Sequence, residues 1–157
     1  MVVETERPPY EAYAAIMGVF VAGLAATGAV AKVLGRDPRE HTALDLITLA
    51  AATFKAAHTL ANDEVTSFLR EPFVSGYAHA GGEDPAPEGF RQAIGELVTC
   101  TRCVGTWTAA GLGIAQVLSP RVGRILTWTL SAAGANDFLQ AGFSALAAKS
   151  NEIAERA

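Results

Sequence analysis

Four apolar stretches recur along the chain, separated by short polar segments. The first, Ala12–Ala31, is twenty residues without a charge, set between Glu11 and Lys32. A helix of that length rises about 30 Å, the thickness of a bilayer's hydrocarbon layer, so a span over 12–34 is predicted. Its small residues recur at four-residue steps (Gly18, Ala22, Ala26, and again Ala25, Ala29). Such rows let helices approach closely in lipid. An alanine-rich helix of a soluble bundle is the alternative, but one this long normally shows a charged face.

The second stretch, 44–61, is less pure. Asp45, Thr48, Lys55 and Thr59 form one polar stripe along a helix. In lipid that stripe has to face protein or water, because ionised groups in hydrocarbon cost about 2.5–3.5 kcal/mol or more. The simpler reading makes Asp45 a cap and lets Lys55 snorkel to the surface. Asn62–Phe73 then reads as a short amphipathic helix, at the membrane interface or equally as a lid on a soluble core, capped by Asn62 or Asp63 and stopped by Pro72. Val65, Phe68, Leu69 and Phe73 form its apolar side. Residues 74–90, with Gly81-Gly82, Pro85, Pro87 and three acids, are expected to be a flexible loop.

The third span, 97–119, repeats the small-residue row as Gly105, Ala109 and Gly113, with Trp107 at a belt position. The fourth, 125–148, holds Asn136 and Asp137 at mid-length, and the polar tail behind it is expected to fray. Lys55 lies eleven residues into the second stretch and Asp137 twelve into the fourth. In an up-down bundle these two helices run parallel, which sets the two charges at one depth and predicts a Lys55–Asp137 contact. With His58 and Asp45 they make a candidate intramembrane polar network. The two tight turns, with Lys32, Arg36, Arg39, Arg121 and Arg124, are the cytoplasmic side by density of basic residues.

The predicted fold is therefore all-α: a four-helix transmembrane bundle, one membrane domain over 1–157, with an interfacial helix between its second and third spans. Composition refines this picture without deciding it. Half of the residues are apolar and 18% charged, yet alanine keeps the mean hydropathy at +0.25. A net charge of −4 excludes a phosphate-neutralising face, and with it nucleic acid as a partner. The acidic start, without a small-residue cleavage site, is expected to remain in the mature protein.

The one chemical motif is Cys100-Thr-Arg-Cys103 at a helix start. Three readings compete. In the first, the pair is a thiol redox centre: residues three apart in a helix have Cα atoms about 5 Å apart, inside the range a disulfide spans. A helix N-terminus and Arg102 would lower a thiol pKa there. In the second, the cysteines are half of a zinc site, completed by His58 or His79 or by a second copy of the chain; His41 belongs to the opposite face. In the third they are structural, packing on the Phe68–Phe73 element. Glu96 either orients a thiol or pairs with Arg70 or Arg91.

Three pieces taken together, D-L-I-T-L-A-A-A-T-F-K (45–55), D-E-V-T-S-F-L-R-E-P-F (63–73) and G-E-L-V-T-C-T-R-C-V-G-T-W (95–107), give the chain a family likeness. It resembles the bacterial multi-pass membrane family catalogued as domain of unknown function 1360, over roughly 44–135. The family usually has arginine at the place of Lys55 and an aromatic or proline pair between the cysteines, where this chain has Thr101-Arg102. The resemblance implies membrane residence and no activity. The resulting reading is a non-enzymatic scaffold or accessory subunit in the cell membrane, partnered by lipid and by other membrane subunits or its own copies, and without a cofactor. The alternatives are a membrane thiol-disulfide oxidoreductase using Cys100 and Cys103, and a small transporter or proton relay through Asp45, Lys55, His58 and Asp137.

Overall fold

The computed structural model describes residues 8–36, 42–77, 82–87 and 89–156. Most of them are helical. Helix α1 (Tyr10–Val33) ends in a turn at Leu34 and Gly35, and α2 (Ala43–Asn62) follows; a run of single turns, including α3 (Ser67–Arg70), leads from α2 to the antiparallel strands β1 (Val74–Tyr77) and β2 (Gly82–Pro85), a hairpin. Helices α4 (Gly89–Thr99), α5 (Thr101–Leu118) and α6 (Pro120–Glu155) complete the chain.

Local chemistry sets these boundaries. Thr42 caps α2: its hydroxyl accepts from the Asp45 backbone N–H, while the Asp45 carboxylate accepts from the Thr42 N–H at 2.8 Å, a reciprocal capping box. Pro120 opens α6 at a position where a helix needs no N–H. Arg36 donates to the carbonyls of Val117 and Leu118, placing a cation on the otherwise unsatisfied C-terminus of α5.

Contacts between the long helices show an up-down arrangement. Thr48 of α2 meets Ser131 of α6, and one to two turns further along both helices Phe54 and Lys55 meet Phe138 and Asp137, so these two run parallel. Helix α5 runs against both, with Asn62 bonded to Thr101 and Gln116 to Thr127. Helix α1 runs alongside α5, joined by an edge-to-face contact of Phe20 and Trp107. The interior is built of small residues: Ala52, Ala57 and Ala61 are buried with Val104, and a Cβ on Gly105 would sit 3.6 Å from that of Ala57. A Cβ on Gly95 would lie 2.4 Å from the Phe73 carbonyl oxygen, so only glycine lets α4 lie this close to the hairpin end.

Five expectations change. First, among the described residues only α1 is long and apolar enough to cross a membrane by length and composition. The other three long helices are diluted, α2 by Asp45 and Lys55, α5 by Arg102 and Gln116, and α6 by Asn136 and Asp137. Second, the loop expected over 74–90 contains an antiparallel ladder pairing Val74 with Pro85 and Tyr77 with Gly82, so the fold is not purely helical. Gly76, at a φ of 89°, supplies a backbone shape that composition alone does not reveal. Third, the amphipathic helix expected over 62–73 is broken into separate turns; Val65, Phe68 and Leu69 are exposed, Phe73 is half-buried, and the residue turned inward is Arg70. Fourth, the third span does not start at 97, because the backbone leaves the helix at Cys100. Fifth, the polar tail does not fray, and α6 continues to Glu155.

Candidate functional site

Cys100 is the N-cap of α5. Its extended backbone (φ −96°, ψ 104°) turns the thiol over the start of the helix, where Sγ accepts the Cys103 N–H at 3.3 Å. A cap is ordinarily an oxygen; here sulfur takes that role, which is why the helix breaks at the C-x-x-C. Cys100 lies between α4 and α5, outside the helix. Hydrogen bonds from the Cys103 side chain and then its backbone N–H hold the Cys100 thiol below the usual thiol range, and Arg102 adds to the effect. Both cysteines are free, Cys100 half-buried and Cys103 exposed.

Cys103 faces α1, on the wall of a cleft of about 470 Å³ formed with Tyr13, Met17, Phe20, Glu96 and Trp107. The Tyr13 hydroxyl donates to Glu96 Oε2, and Gln92 Nε2 donates to Glu96 Oε1 at 3.0 Å. Glu96 is therefore engaged with α1 and its own helix, and pairs with neither arginine proposed for it. Arg91 instead reaches the Pro72 carbonyl at 2.7 Å. The chain is folded so that one thiol, one phenol and one carboxylate line the same mostly apolar cleft.

The residues of the predicted polar network take part in two ion pairs and a helix cap. Lys55 Nζ lies 2.7 Å from Asp137 Oδ2, as the matched depth of the two residues indicates. Gly134 makes room for it: a Cβ there would press on the Lys55 Cβ at 3.3 Å. Phe54 and Phe138 stack beside the pair with ring centroids 5.4 Å apart. Asp45, ten residues before Lys55, is about 15 Å away along the helix axis and belongs to the α2 cap. His58 turns to Asp63, with Nδ1 3.7 Å from its carboxylate.

Among the described residues no group of three or more His, Cys, Asp or Glu side chains could hold an ion. His58 is engaged elsewhere, while His41 and His79 lie outside the described residues. Of the predicted packing residues, Gly105 faces Ala57 and Gly113 borders a groove between α1, α2 and α5. Ala109 is half-buried; Gly18, Ala22 and Ala26 are exposed on α1.

The polar centre that sequence reasoning missed is Arg70, 1% exposed. Its Nε meets Glu83 Oε2 at 2.5 Å, and its two terminal nitrogens donate to the Leu60 carbonyl (2.7 Å), the Thr66 hydroxyl (2.9 Å) and the Asp63 carbonyl (3.2 Å). This ties the end of α2 and the α3 turn to the hairpin. The signal available was the S-F-L-R-E-P-F piece, where a charge sits among large apolar residues. Its acidic partner, thirteen residues on in β2, is brought to it by a strand pairing that periodicity does not describe.

Comparison with known proteins places this arrangement. The chain is 28% identical over 103 residues to the UPF0713 protein YngL of Bacillus subtilis (strain 168), covering 62% of this chain and 76% of that one. It is 29% identical over 103 residues to the sporulation protein YjcA of the same organism, covering 58% of this chain and 83% of that one. No solved structure matches. The profile described as "Protein of unknown function (DUF1360)" matches residues 48–143, a stretch that holds the hairpin, the Arg70 knot, the cysteine pair and the Lys55–Asp137 bridge. The chain belongs to that family.

Proposed function

We propose that the protein is a small multi-pass membrane protein, with α1, α2, α5 and α6 crossing the bilayer, that acts as a scaffold or accessory subunit of a larger assembly. The observation that carries this is the outer surface of the long helices. Met17, Val19 and Val21 on α1, Leu46 and Ile47 on α2, and Phe138, Leu139, Phe143 and Leu146 on α6 are all more than half exposed. Scattered apolar residues are normal on a soluble surface, but contiguous patches of this extent mark lipid or protein contact.

Two faces are offered to a partner. The first is the Gly18–Ala22–Ala26 row of α1, where a Cβ on Gly18 would meet nothing within 4 Å. The second is the last part of α6: from Ala135 to Arg156 every residue except Glu152 is exposed. At 1.5 Å per residue a helix of 36 residues is about 54 Å long, well beyond the hydrocarbon layer, so its end stands clear of the bundle. Helix docking through small-residue rows and long apolar faces needs no catalytic group.

The test is extraction followed by purification in mild detergent. The protein is expected to stay with membranes through an alkaline carbonate wash and to co-purify with stoichiometric partner bands. Release by carbonate, or a monodisperse species in buffer without detergent, would end the membrane reading. Purification as a lone monomer would end the accessory role and leave the membrane reading standing.

A further inference from the structure

We propose that the cleft between α1, α4 and α5 binds a lipophilic quinone, and that the quinone oxidises the Cys100/Cys103 pair to a disulfide. This goes beyond the docking role above and does not depend on it. Two free thiols stand three residues apart at a helix start, with the Cys103 N–H held on Cys100 Sγ at 3.3 Å, a spacing at which a disulfide can close. To do so they must lose two electrons and two protons to an acceptor that reaches a sulfur.

The space in front of Cys103 selects that acceptor. Its walls are Met17 and the edge-to-face pair of Phe20 and Trp107, whose centroids are 5.0 Å apart. A flat ring with an apolar tail gains from such walls by stacking and by leaving water. A charged, water-soluble oxidant such as a disulfide tripeptide would lose its hydration there without compensation. The same cleft carries one hydrogen-bonded acid couple, Tyr13 on Glu96, and a quinone needs protons on both ring oxygens once it accepts electrons.

The chemistry balances. Cys103 Sγ adds to a ring carbon, forming a C–S bond; the carbonyl electron pair moves to its oxygen, which takes up the proton shed by Cys103 by way of Glu96 and Tyr13. The Cys100 thiolate then attacks Cys103 Sγ. The S–S bond forms, the C–S bond breaks, and its electron pair returns to the ring, whose second oxygen takes the proton that came from Cys100. Two thiols and one quinone give one disulfide and one hydroquinone.

The experiment uses the full-length chain, reduced, in detergent, with Trp128→Phe so that Trp107 is the remaining tryptophan of the two. Decylubiquinone is the probe, because its fully substituted ring leaves no position for irreversible arylation. The expected result is saturable quenching of Trp107 fluorescence, with loss of two alkylatable thiols for each quinone reduced. Adding Cys100→Ala and Cys103→Ala is expected to keep the quenching and abolish quinone reduction. Unsaturable quenching equal to that of free tryptophan, or saturable quenching with both thiols still fully alkylatable after excess quinone, would overturn the proposal. Neither result bears on partner co-purification, so the two readings fail separately.

Discussion

Two ion pairs in this molecule have opposite surroundings. Arg70 and Glu83 are 2% and 9% exposed in their side chains, and the guanidinium has further partners in Leu60, Asp63 and Thr66. Lys55 and Asp137 are 21% and 50% exposed and bonded to one another beside two stacked rings. Arginine suits the first because its planar fork serves several acceptors at once; an ammonium is a point donor and suits the second. The buried pair ties chain segments together whatever solvent surrounds the protein. The strength of the half-open pair depends on whether that solvent is water or lipid.

Removing one partner of the buried pair has the largest expected effect. Arg70→Ala takes the guanidinium from Glu83 and from the Leu60 carbonyl, and should lower unfolding stability by about 3–5 kcal/mol, read from thermal or denaturant unfolding in detergent. Arg70→Lys should recover only part of it. If Arg70→Ala unfolds like the parent chain, the knot is not what holds the hairpin to α2.

The half-open pair gives the next largest effect, and one that depends on its surroundings. Lys55→Met strands the Asp137 carboxylate. In a bilayer this should cost about 2.5–3.5 kcal/mol, and adding Asp137→Leu should restore most of it. In water an ion pair this exposed is worth at most about 1 kcal/mol. A double-mutant cycle in lipid vesicles that returns under about 1 kcal/mol would therefore count against a bilayer around α2 and α6.

Gly95→Ala tests the backbone around the buried pair. Its Cβ would approach the Phe73 carbonyl oxygen at 2.4 Å and the Pro85 Cα at 3.0 Å, so α4 or the hairpin must shift, at a cost of about 1–3 kcal/mol. The same substitution at Gly18 should be silent or slightly stabilising in the isolated chain, because nothing opposes it.

The smallest effect concerns charge at the cysteines, which neither ion pair touches. Because hydrogen bonds from Cys103 favour the Cys100 thiolate, Cys100 should alkylate with a pH midpoint below that of an ordinary cysteine. Cys103→Ala should move that midpoint upward. The sign follows from which form is stabilised: a donor to the thiolate makes the proton easier to lose, so the reactive form persists to lower pH. An unmoved midpoint would assign the effect to the helix start and Arg102 instead.

What could be read along the chain was whatever depends on neighbours in sequence. Twenty uncharged residues before Lys32 specify a long apolar helix, because backbone satisfaction and side-chain hydropathy are local. Asp45 could be read as a cap at the entry of its stretch, and the structure supplies Thr42 as its partner. Even the Lys55–Asp137 meeting was legible, since rise per residue converts position into depth once two helices run parallel. Tertiary structure alone decided which helices touch and how closely. That Arg70 is buried against Glu83, that Tyr13 reaches Glu96 across 83 positions, and that Cys103 opens onto α1 all follow from contacts between distant segments. Those contacts are set by where glycine and alanine let backbones approach. A hydropathy pattern records which face of a helix is apolar; it does not record which other helix will cover that face.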